Sequence, residues 1–216
     1  MSYSKTALDQ LESGQLKDFE KTYQQALDHD SSDMLYSLAE ELYSLGFSNY
    51  SQTIYEKLLK QFPDDDTLKI NLAELAIDQD HDDQALNYLS QVSSQSPDYV
   101  RSLMVSADLY QTQGLFDVSE QKLLEAQRID PEEPVIQFAL AEFYFNSRNY
   151  RKAINLYLHL IKSGTLEMSA VNLVERLGVS YAEIGKFEKA VGYLEQITPV
   201  HMNSDVKFEF GFTYLN

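Results

Sequence analysis

The chain has 216 residues, of which 44% are hydrophobic, so it can bury a continuous core in one domain or two. Its 17 basic and 34 acidic residues give a net charge of −17, which disfavours nucleic acid and anionic membrane surfaces as partners. The chain has no cysteine, which excludes disulfides, thiolate metal sites and cysteine nucleophiles.

Targeting and membrane segments are not apparent in the sequence. The first residues lack a basic segment followed by an apolar one, and no apolar run reaches the roughly 18 residues that a membrane helix needs. We therefore expect the chain to act in the cytoplasm.

The first predicted element is a degenerate helical hairpin at residues 3–30. Ala7, Leu8 and Leu11 mark the apolar face of its first helix, and Phe19 and Tyr23 mark that of its second. The remaining positions are mostly polar, as the terminal unit of a repeat array requires. We expect this hairpin to cap the array.

A unit of 34 residues then recurs along the chain. Pro63, Pro97 and Pro131 keep this step, and so do small residues followed four positions later by large ones, such as Ser51 and Tyr55. The last unit comes three residues late because of extra residues between Ser163 and Ala170. We predict full repeats at 32–65, 66–99, 100–133, 134–167 and 171–203, and the first helix of a truncated repeat at 204–216.

Each unit has the pattern of a helical hairpin. Leu35, Leu38, Ala39 and Leu42 are spaced as one face of a helix, and a second helix of the same kind follows a short turn at Gly46. The small residues let the two helices of a hairpin approach closely, as at Gly178. The sequence therefore predicts an all-α protein.

Three segments carry a family resemblance: SLMVSADLYQTQGLFDVSEQKLLEAQRIDP, FALAEFYFNSRNYRKAINLYLHL and RLGVSYAEIGKFEKAVGYLEQI. They resemble tetratricopeptide repeats of the bacterial cytosolic type. The tryptophan usual in the first helix of these repeats is absent. The resemblance implies one right-handed superhelical solenoid of antiparallel helix hairpins that binds another protein or a peptide. The positions that would carry the tryptophan hold Leu35, Lys69, Leu103, Gln137 and Val174.

Catalytic chemistry has no support in the sequence. The four histidines fall in different units without the i, i+4 spacing of a helical metal site. The acidic run at 78–83 lacks the glycine and the closing glutamate of a calcium loop. We expect no catalytic residues, no metal and no cofactor.

A stripe beside the core face of successive first helices is the candidate binding surface, because the resemblance implies that it faces the concave groove. Acids recur on it at the 34-residue step, with apolar and aromatic residues beside them, so we expect a basic, partly apolar ligand. A subgroup of the family clamps acidic peptide ends with lysines and an asparagine, and those basic groups are missing from this stripe. The stripe consists of Tyr36, Glu40, Tyr43, Ile70, Glu74, Ile77, Met104, Asp108, Gln111, Phe138, Glu142 and Phe145.

Two other functions stay open at this stage. The chain could be part of a peptide-sensing regulator whose effector module lies beyond Asn216, or a self-assembling structural array. The aromatic segment Phe208–Leu215 would expose apolar surface, which favours a longer array or a homodimer formed through this segment. The aromatic residues of the stripe also admit a purely structural role in packing between hairpins.

Overall fold

A computed structural model describes residues 2–197. Within these residues the chain forms helices joined by short turns, together with one pair of very short strands. The elements are α1 (Tyr3–Glu12), α2 (Leu16–His29), α3 (Ser32–Ser44), α4 (Ser48–Gln61), α5 (Asp66–Asp78), α6 (Asp82–Ser90), α7 (Tyr99–Thr112), α8 (Phe116–Ile129), α9 (Pro134–Asn146), α10 (Tyr150–Lys162), β1 (Glu167–Met168), β2 (Val171–Asn172), α11 (Leu173–Glu183) and α12 (Phe187–Leu194).

The chain divides into two compact units, Met1–Leu109 and Tyr110–Asn216. In the first unit α1 packs on α2, α3 on α4 and α5 on α6, with further contacts between α1 and α3 and between α4 and α5. In the second unit α9 packs on α10 and α11 on α12, and α10 also contacts α11. The segment 204–216, predicted as the first helix of a truncated repeat, lies outside the described residues, as does the proposed dimer segment Phe208–Leu215.

The turn within each hairpin uses one residue in the left-handed backbone region. Gly46 has φ of 83° there, and the Phe47 amide closes the turn by donating to the Leu42 carbonyl at 2.8 Å. Asp80 and Arg148 adopt the same conformation, with φ of 58° and 59°, in the two hairpins that have no glycine at this point. The hairpin geometry therefore persists without the glycine, although it costs free energy at those two positions.

The small residues of the second helices fill the closest packing positions. Five of these second helices have one such small residue, and each of the five is fully buried. A larger side chain there would separate the two helices of the hairpin. At Gly178 in α11, a Cβ atom would lie 2.7 Å from both Cγ and Cδ2 of Leu194 in α12. The small-residue column consists of Ser51, Ala85, Ser119, Ala153 and Ala190.

The extra residues before the last hairpin form a small β-ladder. Glu167 pairs with Asn172 and Met168 with Val171, while Ser169 and Ala170 turn the chain with φ of 50° and 61°. Asn172 then caps α11 by accepting the amides of Val174 and Glu175 at 2.9 and 3.1 Å. The insertion thus adds a local turn, and α11 begins directly after it with a regular N-cap.

Candidate functional site

The predicted stripe is only partly a surface. In the first unit Glu40 and Asp108 are exposed, whereas Ile70 is completely buried. Ile70 packs in the apolar core with Ala73 and Ala76, so it stabilises the hairpin and is not available to a partner. Its place on the predicted binding surface is therefore corrected. The remaining members are half-buried: Tyr36, Tyr43, Glu74, Ile77, Met104, Gln111, Phe138, Glu142 and Phe145.

Polar bonds between successive first helices join α3 to α5 along the stripe. The Asn71 amide nitrogen donates to the Tyr36 hydroxyl at 3.0 Å, and the Tyr43 hydroxyl donates to the Asp78 carboxylate at 2.5 Å. These bonds connect residues 35 positions apart in the chain. Each bond joins a stripe residue of α3 to the residue that follows its equivalent in α5, so the two helices lie side by side along the stripe.

A basic side chain of the chain itself also lies on the stripe of the first unit. One guanidinium nitrogen of Arg101 in α7 donates to Glu74 Oε2 at 2.7 Å and to Asn71 Oδ1 at 2.9 Å. Arg101 was not predicted to reach the stripe, because it lies in the first turn of its helix, away from the acidic positions. Since Glu74 neutralises it, its guanidinium is not a free group for an acidic ligand.

Two acids of the first unit have no such partner. No ion pair or hydrogen bond within residues 2–197 engages the side chains of Glu40 and Asp108. Burial raises the pKa of Tyr36, the hydrogen bond from Asn71 opposes this rise, and the nearby Glu40 carboxylate adds to it. Tyr36 is therefore a neutral phenol beside an exposed carboxylate.

In the second unit the stripe position Glu142 is already occupied. Its carboxylate accepts the Tyr157 hydroxyl and pairs with Arg176 of α11 at 3.1 Å. The Arg176 guanidinium lies 4.4 Å from the centre of the Phe145 ring, in the geometry of a cation–π contact. These contacts join α9, α10 and α11, so Glu142 and Phe145 take part in packing between hairpins.

Sequence reasoning missed the groups that complete these clusters, namely Asn71, Asp78, Arg101 and Arg176. Asn71 lies one position beyond the stripe residue Ile70 in its helix, so a wider stripe would have included it, whereas Arg176 lies in α11, to which the predicted stripe did not extend. Which acid each arginine reaches depends on the packing of the next hairpin. The distance between each guanidinium and the acid that it binds therefore cannot be read from the sequence alone.

Other kinds of site are not seen in the described part of the chain. Within residues 2–197 no three histidine or acidic side chains are grouped closely enough to hold a metal ion. None of the helices there has the length and apolar character needed to cross a membrane.

The chain is a tetratricopeptide repeat protein. Family models for tetratricopeptide repeats match residues 52–109 and 175–198, and a model described as YpiA-like tetratricopeptide repeats matches residues 111–165. The chain is 37% identical over 177 residues to the TPR repeat-containing protein YpiA of Bacillus subtilis (strain 168). That alignment covers 82% of this chain and 42% of YpiA, so the chain spans less than half of the relative's length.

Solved structures agree on the fold. PilW, a type IV pilus biogenesis factor, has a TM-score of 0.72 at 14% identity, with 99% of this chain and 97% of PilW covered. A tetratricopeptide repeat protein from Parabacteroides merdae ATCC 43184 has a TM-score of 0.63 at 18% identity, with coverages of 98% and 83%. The predicted all-α fold of tetratricopeptide type is confirmed. It indicates a scaffold for interactions between proteins.

Proposed function

We propose that the chain is a binding scaffold, not an enzyme, and that the stripe of its first unit binds a basic, partly apolar segment of a partner protein. The net charge of −17 favours such a partner over nucleic acid or a membrane surface. The observation that carries the proposal is the guanidinium of Arg101 on Asn71 and Glu74. In that contact an arginine of the chain binds an acid of the stripe, as a basic residue of a ligand would.

The two unpaired acids define where a ligand side chain would bind. Thr67 stands one 34-residue step before Arg101, so no arginine of the chain reaches Glu40 in the corresponding way. Val135 stands one step after Arg101, so the repeat supplies no arginine at that position either. We therefore assign ligand binding to Glu40 and Asp108, and a structural role to Glu74.

The repeat geometry gives the expected spacing of the ligand's charges. Adjacent helices pack about 8–10 Å apart, so Glu40 and Asp108, two first helices apart, are separated by about 20 Å. An extended peptide advances about 3.3 Å per residue. Two cationic residues about six positions apart would match the two acids, while apolar residues between them would face Ile77 and Met104, both half-buried.

The test is the affinity of the full chain for a twelve-residue peptide with arginine at every third position and leucine between. For the double variant Glu40→Gln and Asp108→Asn we expect about tenfold weaker binding at low ionic strength, since each exposed pair contributes up to about 1 kcal/mol. Fluorescence anisotropy with a labelled peptide measures it.

The matched control removes two charges elsewhere. Asp28 in α2 and Asp64 in the turn after α4 are exposed, and their change to Asn removes the same two negative charges. This control should bind the peptide nearly as well as the parent chain. Equal affinity of the Glu40/Asp108 variant and this control would disprove the proposed role of the stripe.

A further inference from the structure

A pocket of about 280 Å³ opens between α3, α4 and α5 of the first unit. Leu58 and Leu68 line it with side chains that are each only 2% exposed, and Phe62 contributes a ring that is 48% exposed. Tyr36 forms another wall, held in place by the bond from Asn71. The pocket therefore combines an apolar interior with an accessible aromatic side.

Two carboxylates belong to the same pocket. Asp33 is exposed, and Asp65 caps α5 by accepting the Leu68 amide at 3.0 Å. No ion pair within residues 2–197 neutralises either of them. Burial raises the pKa of the Tyr36 hydroxyl, the hydrogen bond from Asn71 opposes this rise, and the charge of Asp65, which lines the same pocket, adds to it.

At the next junction of the same unit, a lysine of the chain itself lies beside an acid. There Lys69 lies almost fully buried, at 7% exposure, with its ammonium 2.8 Å from Asp66 Oδ1 and 3.2 Å from the Gln91 carbonyl. One 34-residue step earlier the corresponding residue is Leu35, whose side chain is in the core. The acid that binds Lys69 corresponds to Ser32 of the pocket, so the two pocket carboxylates stand at other positions of the repeat, and Leu35 supplies no cation to them.

We propose that this pocket binds a lysine or arginine side chain of a partner protein. The aliphatic part of that side chain packs against Phe62 and Leu58, and its charged end lies between Asp33 and Asp65. The inference rests on the proposed function, because the ligand class is the same. Tyr36 belongs to both the pocket and the stripe, so one bound segment can reach Glu40 and the pocket together.

The experiment compares the double variant Asp33→Asn and Asp65→Asn with the parent chain, using the arginine–leucine peptide described above. Asparagine is also a good helix cap, so α5 keeps its start. We expect about fivefold weaker binding at low ionic strength, and little difference in high salt, where exposed ion pairs are screened. The Asp28→Asn and Asp64→Asn control alters the neighbouring turn residue without touching the pocket, and should bind normally.

A second variant tests the apolar part of the pocket. Phe62→Ala should weaken binding about threefold in both low and high salt, because it removes packing and leaves the charges unchanged. Phe116→Ala is its control, since Phe116 is similarly exposed, at 51%, and lies in the second unit. Thermal unfolding of each variant confirms that the fold is intact before binding is measured.

The outcomes separate this inference from the proposed function. Weaker binding in the Asp33/Asp65 and Phe62 variants supports the pocket. If these variants bind like their controls while the Glu40/Asp108 variant is weakened, the pocket is overturned and the stripe stands. If the peptide fails to bind the parent chain, both proposals fail for this ligand class.

Discussion

At the scale of single residues, buried and half-buried polar groups join one helix to another. Asp30, at the end of α2, accepts the Ser4 amide and the Ser4 hydroxyl at 2.6 Å each, and the Tyr3 amide at 3.3 Å. Burial alone would raise the pKa of Asp30, but these hydrogen bonds and the neighbouring His29 lower it below its ordinary value. The charged carboxylate therefore holds the start of α1 against the end of α2.

Replacing Asp30 by Asn should lower the free energy of unfolding by about 1–2 kcal/mol at pH 7, because an amide oxygen cannot accept all three hydrogen bonds. Since the folded pKa of Asp30 is lowered, its contribution is complete above the ordinary pKa near 4 and is lost as the pH falls through the folded pKa. Urea unfolding at pH 7 and at pH 2.5 measures the difference.

The difference in stability between the parent and the Asp30→Asn variant should thus be smaller at pH 2.5 than at pH 7. Asp28→Asn is the control, because Asp28 is exposed on the same helix. A constant difference between parent and variant at both pH values would show that the charge of Asp30 does not matter.

At the scale of elements, the hairpins depend on close contact between two helices. Gly178 in α11 faces Leu194 in α12, and both residues are buried. Gly192 also lies in α12, but a Cβ atom there would meet nothing within 4 Å. The two glycines therefore allow the same substitution in a crowded and in an open place.

Gly178→Ala should destabilise the second unit by about 1 kcal/mol, because overpacking of Leu194 outweighs the gain in helix propensity. Gly192→Ala should instead stabilise it by about 0.5–1 kcal/mol, since only the propensity changes. Denaturant unfolding of both variants gives the comparison. An equal gain in stability for the two would mean that α11 and α12 do not need the close approach.

At the scale of the whole molecule, the dominant property is charge. A net charge of −17 on 216 residues repels itself in the folded state, because 17 basic residues cannot neutralise 34 acidic ones. The same charge attracts a basic ligand from a distance. Salt should therefore stabilise the free protein and weaken its complex with a basic peptide.

Adding 0.5 M sodium chloride, on the order of several times the physiological ionic strength, should raise the melting temperature at pH 7 by about 2–4 °C. At pH 4.5, near the isoelectric point, the same salt should have little effect because the net charge is close to zero. Differential scanning fluorimetry at low protein concentration measures both. A rise of equal size at the two pH values would indicate a general salt effect rather than relief of repulsion.

The sequence predicted the repeating architecture well because its pattern is local and periodic. The spacing of Leu35, Leu38 and Leu42 specifies a buried helix face, and these residues are buried in the structure. Gly178 was predicted to allow close approach of the partner helix, and its contact with Leu194 confirms this. The candidate surface was less predictable. Ile70 stands at the same position of the repeat as Tyr36 and Met104, but it lies in the core.

The sequence by itself determined the helix–turn–helix unit, the 34-residue step, the insertion before the last hairpin and the acidic character of the chain. Only the tertiary structure decided which acids are free, because that depends on side chains from the next hairpin. Arg101 reaches Glu74 and Arg176 reaches Glu142, whereas Glu40, Asp33 and Asp65 are left without a cation among residues 2–197. The periodic pattern determines the hairpins that repeat. Which groups a long, flexible side chain binds depends on which of them lie within its reach once the hairpins have packed.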